Sequence, residues 1–290
     1  MTTIFRTASA ALVLSLCTLG TAPALAQDSD STTIHNNDDG SDYAVLGVGG
    51  AILTDYEGSD DYSFTPVPIA IGRVSGFNFL LAGNRLSVDL IADNFGPGLD
   101  FQAGPVAALN FNRSSTKAID DDRIKALGKR KTALEVGGYL GIGQTGVFTS
   151  EFDRLSASVS YRKGVTGAHS AGIFTPTVTY LTPLSTKSVV SVFVAAERAE
   201  KGYARSYFGI DPQQSEDSGL PVYNARGGWK NWTLGGLGAV SLTGDLRNGL
   251  QAFGGVVYRR MLNDFAESPV TSIAGDRDQW LGSVGLAYSF

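Results

Sequence analysis

Residues 279–290 read Q-W-L-G-S-V-G-L-A-Y-S-F. Side chains alternate between the faces of a strand, so Trp280, Gly282, Val284, Leu286, Tyr288 and Phe290 share one side, while Gln279, Ser283, Gly285, Ala287 and Ser289 share most of the other. One face is apolar and ends on aromatics; the other is small and polar. The pattern predicts a strand whose outward side chains meet lipid, with aromatic rings at the interface. An edge strand of a soluble sheet would alternate in the same way, so the rest of the chain must decide.

Further segments alternate similarly. Leu99, Phe101, Ala103, Pro105, Ala107, Leu109 and Phe111 fall opposite Asp100, Gln102, Gly104, Asn110 and Asn112. Leu155, Ala157, Val159 and Tyr161 interleave with Ser156, Ser158, Ser160 and Arg162, and Phe174, Pro176, Val178 and Tyr180 with Thr175, Thr177 and Thr179. Leu86, Val88 and Leu90 flank Ser87 and Asp89, and Leu134, Val136, Leu140 and Ile142 oppose Glu135 and Tyr139. Weaker strands are expected at 42–54, 64–74, 77–82, 188–198, 229–243 and 249–262. No convincing helical stripe interrupts them. The expected fold is all-β, an antiparallel transmembrane β-barrel of about twelve strands. Connection lengths agree. Residues 54–64, 112–132, 163–170, 198–229 and 262–279 would lie at one end, and the shorter 74–77, 93–98, 144–150, 183–187 and 244–248 at the other. Only a tight turn at Gly83-Asn84 breaks that sorting of long outer loops from short inner turns. A two-sheet sandwich is the alternative.

Composition agrees with strands. The 290 residues include 36 Gly, 15 Phe and 11 Tyr, and the net charge of −5 argues against nucleic acid as a partner. A mean hydropathy of +0.02 excludes a polytopic helical membrane protein but not a barrel, whose faces average out. Residues 1–26 have the form of a secretory signal, with Arg6 in a basic start, an apolar core over 8–20, and Ala24-Leu25-Ala26 before the cut. The single Cys17 lies within it and follows Leu16, which argues against lipidation and leaves the mature chain without thiols. Residues 27–41 are acidic and aperiodic, and are expected to form a flexible periplasmic lead-in to a barrel over 42–290.

The terminal residues also resemble the ending that barrel-assembly machinery reads in outer-membrane proteins, through Gly285, Tyr288 and Phe290. Tyr56-Glu57-Gly58-Ser59-Asp60 followed by Phe64-Thr65-Pro66-Val67-Pro68 resembles the N-terminal signature of the MipA/OmpV family. So do Ser206-Tyr207-Phe208-Gly209-Ile210 with Gln214-Ser215, then Ser218-Gly219-Leu220-Pro221 with Tyr223, and Ser268-Pro269 before the last strand. The resemblance implies a non-enzymatic outer-membrane barrel. For the family's namesake it implies a scaffold between a lytic transglycosylase and a penicillin-binding protein of murein metabolism; other members are described as antigens, adhesins or porin-like proteins.

No residue stands out as catalytic, and no cofactor is implied. The Gly141-Ile142-Gly143-Gln144-Thr145-Gly146 run matches G-x-G-x-x-G but leads into another strand instead of a helix, which reads as a glycine-rich turn. The mature chain has two histidines, His35 in the lead-in and His169 beside Ser170; a neighbouring pair alone does not make a hydrolase. Asp55, Glu57, Asp60 and Asp61 around Gly58 read as a solvated acidic loop, with a divalent cation site as the alternative. Arg113, Lys117, Arg123, Lys125, Lys129, Arg130 and Lys131 are either a soluble loop or a surface for lipopolysaccharide phosphates. Asp89, Asp100, Gln102, Glu135 and Arg162, with Ser158 and Thr177, are expected to face the lumen. They would line a pore in a channel for small hydrophilic solutes, or fill a closed one. The expected function is therefore a scaffold, with a porin-like channel and an adhesin as the alternatives.

Overall fold

The computed structural model describes residues 42–92 and 98–290; the expected signal, lead-in, Cys17, His35 and most of the 93–98 turn lie outside the described residues. The strands are β1 (Tyr43–Thr54), β2 (Tyr62–Val74), β3 (Phe77–Ala82), β4 (Arg85–Asp89), β5 (Leu99–Asn110) and β6 (Ala133–Thr145). They continue as β7 (Arg154–Thr166), β8 (Gly172–Ser185), β9 (Ser188–Ala199), β10 (Gly228–Ser241), β11 (Gly249–Met261) and β12 (Asp278–Ser289). Each pairs antiparallel with its neighbours in sequence, and β1 pairs with β12 to close the barrel. The closing register sets Val48 opposite Leu286 and Val45 opposite Ser289. A closed barrel of twelve strands is the expected fold, and it excludes the sandwich.

The outer surface follows from alternation. Val284 is 71% exposed on β12, and Trp280, Leu286, Tyr288 and Phe290 project beside it. On other strands Phe101, Leu140, Val159, Val178, Val192 and Leu234 do the same, while their sequence neighbours are buried or half-buried. An apolar wall with every backbone polar group paired around a ring is what a hydrocarbon environment requires.

Long connections gather at one end, called the loop end here, and short ones at the other, the turn end. The expectation of no helices is corrected at the loop end. There the connections fold into α1 (Asp122–Ala126), α2 (Lys201–Phe208), α3 (Pro212–Ser218), α4 (Asn263–Glu267) and α5 (Pro269–Ser272). All are a turn or two long, too short to leave a repeated stripe. Their caps, however, are local. Asp211 accepts from the Gln214 backbone while the Gln214 side chain accepts from the Asp211 N–H; Pro212 starts the helix and Gly219 ends it at φ 72°.

At the turn end, the covered carboxylate of Asp153 accepts hydrogen bonds from the backbone of Val147, Phe148 and Thr149 and from the Thr149 and Tyr180 hydroxyls. Burial pushes this carboxyl up, but those donors outweigh it and hold it well below the usual carboxylate range. A depressed folded-state value contributes stability that is full above the ordinary 3.8 and is lost as pH falls below it. Asp153→Asn is therefore expected to reduce stability at pH 7 and to flatten the acid limb of an unfolding titration below about pH 4. On the outer face, Val284→Arg is expected to cost about 2–4 kcal/mol, the penalty for a cation near mid-membrane, and to lower the heat-modifiable folded band on a gel.

Candidate functional site

The loops close their end of the barrel. Tyr56, Ile119, Ile124, Tyr203, Tyr207, Phe208, Leu220, Phe265 and Val270 come from four connections and share one buried apolar cluster, to which Met261 and Ile173 at strand ends also belong. The Phe208 and Phe265 rings meet edge to face at 5.1 Å. Polar ties seal the cap: Ser268 Oγ donates to Phe208 O at 2.6 Å, and Gln279 Nε2 to Ser59 O at 3.0 Å.

Apart from residues 64–68, which lie in β2, the residues carrying the family resemblance lie in this cap. The Tyr56 hydroxyl donates to Ala274 O, and Gly58 at φ 98° accepts the Asp276 N–H. Ser59 Oγ accepts from the Asp61 N–H. The Tyr207 ring stacks 4.8 Å from that of Tyr203. Gly209 ends α2, where a Cβ would lie 2.6 Å from Arg205 O. Ser218 Oγ donates to Gln214 O, Gly219 takes the left-handed position, and Leu220 is buried. Tyr223 bridges to Ile210 and its hydroxyl donates to Asp264 O at 3.1 Å. These are packing and backbone roles within one folded plug.

Below the cap is a buried charge network. Lys230, 2% exposed, places Nζ 2.8 Å from Glu57 Oε1 and 2.7 Å from Glu197 Oε2. The Tyr203 hydroxyl donates to Glu57 Oε2 at 2.6 Å, joining α2 to the first loop. Arg162 continues the chain, with Nε 3.2 Å from Glu135 Oε2 and Nη2 3.3 Å from Glu197 Oε1. His169 Nδ1 accepts the Ala171 N–H, so its proton is on Nε2, which donates to Glu135 Oε1 at 3.2 Å. Asn110, Asn112 and Asn231 add second donors to Glu135 Oε1, Glu57 Oε2 and Glu197 Oε2.

The sequence-predicted chemistry sorts accordingly. Glu135 and Arg162 are buried inside the barrel and pair with each other. Asp89, Asp100 and Gln102 are also buried inside, and Asp100 is paired with Arg154 near the turn end. The first-loop carboxylates do not converge: Glu57 turns in to Lys230, Asp55 accepts the Asp120 N–H, and Asp60 stays exposed. Among the described residues no three metal-ligating side chains group together. His169 is fully covered while Ser170 is exposed, so the two form no dyad. The glycines at 141 and 143 lie in β6 and Gly146 turns at φ 74°, with no helix following. The basic loop is split. Arg113 is buried, its guanidinium lowered to about 9 by burial and nearby Arg130, and both donate to Ser206 O. Arg123 pairs with Asp121 and Lys125 with Asp122, leaving Lys117, Lys129 and Lys131 exposed.

Lys230, Glu197 and Tyr203 were missed from sequence. Lys230 enters the lumen through a register shift between Trp229 and Asn231. The signal was there: Trp229 and Trp232 both sit on the outer face at an odd spacing, which an unbroken strand cannot give. Gly285, in the terminal stretch that resembles an assembly signal, faces inward against the Phe253 ring and the Gly49 Cα, so a side chain there has no room. Tyr288 and Phe290 lie outside with rings 4.8 Å apart.

Removing the central cation tests the network. Lys230→Met leaves Glu57 and Glu197 buried without their ammonium and is expected to destabilise the barrel by about 3–5 kcal/mol in a urea titration. Adding Glu57→Gln is expected to restore part of that loss.

Among solved structures, the outer membrane channel DcaP of Acinetobacter baumannii aligns over 86% of this chain and 96% of its own, at 8% identity and a TM-score of 0.38. The CymD monoaromatic hydrocarbon channel aligns over 85% and 88%, at 9% and 0.37. Likeness at this level says nothing of cargo. No curated protein matches the sequence. The model of the family described as MltA-interacting protein MipA matches residues 46–290, nearly the whole barrel, and this chain belongs to that family.

Proposed function

We propose that this protein is a non-conducting, non-enzymatic barrel of the bacterial outer membrane that acts as an interaction protein for murein enzymes. The observation that carries this reading is the cap: an apolar core joined to the wall by the Glu57–Lys230–Glu197 network is a folded plug, not a constriction loop beside an open pore. On this reading residues 1–26 are removed as a secretory signal, the assembly machinery reads the Gly285–Phe290 ending, and lipid covers the apolar outer wall. Long loops face outward, with Lys117, Lys129 and Lys131 toward lipopolysaccharide phosphates. The turn end and the lead-in 27–41 then face the periplasm, where a lytic transglycosylase and a penicillin-binding protein would be met. The family's description as MltA-interacting protein supports that class of partner.

A channel is the second reading, favoured by one observation. Ser156, Ser158 and Ser160 of β7 stand opposite Thr179, Thr177 and Thr175 of β8, a ladder of hydroxyls down one side of the lumen. If the cap were to swing away, that side would suit hydrophilic solutes. An adhesin reading would rest on the same loops.

Planar-bilayer recording decides between them. The refolded protein is expected to insert and stay silent, and periplasmic cross-linking is expected to capture a lytic transglycosylase through the turn end. Steady, salt-dependent openings of the unmodified protein, without such capture, would replace the scaffold reading with the channel.

A further inference from the structure

The lumen has two unlike sides. Across β4 to β8 its wall carries Arg85, Asp89, Asp100, Gln102, Glu135 and the hydroxyl ladder, whereas toward the turn end the inner faces of β1 to β3 and β9 to β12 carry many aliphatic groups, with Arg73, Ser191, Gln251 and Ser289 buried near them. There they line a partly open pocket of about 140 Å³, walled by Val67, Ile69, Leu80, Leu237 and Phe253 among others. Its roof is a buried apolar layer that includes Leu53, Phe193, Val257 and Leu281. Its floor is the connection between β10 and β11, which folds inward instead of projecting. Leu246 is 4% exposed and packs on Leu181 and Val189, while its N–H donates to Thr186 O and its carbonyl accepts from Gln251 Nε2 at 2.7 Å.

We infer that this pocket is a binding site for a small apolar molecule the size of a single aromatic ring, entered from the turn end past Leu246. Three physical arguments converge. First, the walls offer water little beyond the Ser191 and Ser283 hydroxyls and the Gln251 amide, the last already engaged with Leu246 and Ser289, so water gains few of the bonds it needs. Second, an aliphatic and phenyl-lined cavity of roughly 150 Å³ is known to stay dry and to accept benzene, so this volume suits one ring. Third, a close-packed barrel would fill such a space. Instead Gly49, Gly238 and Gly254 line it beside short side chains such as Ala82, Ala239 and Ala287. The ligand class differs from the hydrophilic solutes that the polar wall would suit. The inference does not rest on whether the barrel conducts or which enzymes it meets.

The test uses the whole folded protein in detergent and toluene as the probe, read by methyl resonances. Val67, Leu80 and Leu237 methyls are expected to shift saturably with toluene, while lipid-facing Val284 and Leu286 drift linearly as toluene partitions into the detergent. Ala239→Phe fills the pocket and is expected to weaken the saturable response by about tenfold or more. Ile69→Phe serves the same purpose should the first variant lose its heat-modifiable mobility. Crystals soaked with iodobenzene are expected to show an anomalous iodine peak between Leu237 and Phe253. Linear shifts at all five residues, iodine only on the outer wall, or unchanged saturation in a folded pocket-filling variant would each overturn the inference.

Discussion

Hydrocarbon offers a backbone amide no partner, and that constraint shapes the protein. Each strand must find both neighbours, so β1 and β12 meet and the sheet has no edge along the closing seam. Once closed, the barrel gives every strand the same instruction: apolar outside, anything that fits inside. The outer wall obeys uniformly. Inside, charges and hydroxyls gather across β4 to β8 and below the cap, while aliphatic groups gather toward the turn end of the opposite wall.

The cap is the second consequence. A closed wall needs nothing from its loops, yet four of them build a shared core with buried tyrosines and phenylalanines. The cap is fastened to the wall by opposite charges withdrawn from water, an arrangement that contributes geometry more than net stability, because desolvation offsets much of the attraction. Its value is specificity. Glu57 from the first loop meets Lys230 from β10 only when the plug is seated.

Much of this was legible. Alternation in residues 279–290, 99–112 and 155–162 revealed strands, outward faces and the barrel, because a period of two needs no tertiary knowledge. Loop lengths gave the two ends. The lumen-facing side chains were also readable by parity, but their partners were not, since Glu135, Arg162 and Glu197 meet only after strands curl into a ring. Leu281, on the face read as small and polar, belongs to the apolar layer above the pocket. The helices of the cap escaped because pieces of four to eight residues leave no stripe, although Asp211, Pro212 and Gly219 punctuate one of them. Most of all, the buried lysine depends on a one-residue slip in β10, and strict alternation would have hidden it.

The folded cap also determines how the molecule is seen from that side. Exposed positions in the cap, such as Asp60, Lys129 and Val222, come from distant parts of the chain and are held together only by the core beneath them. Any macromolecule that binds there reads a surface, not a peptide, and a linear fragment of any single loop presents little of what it recognises.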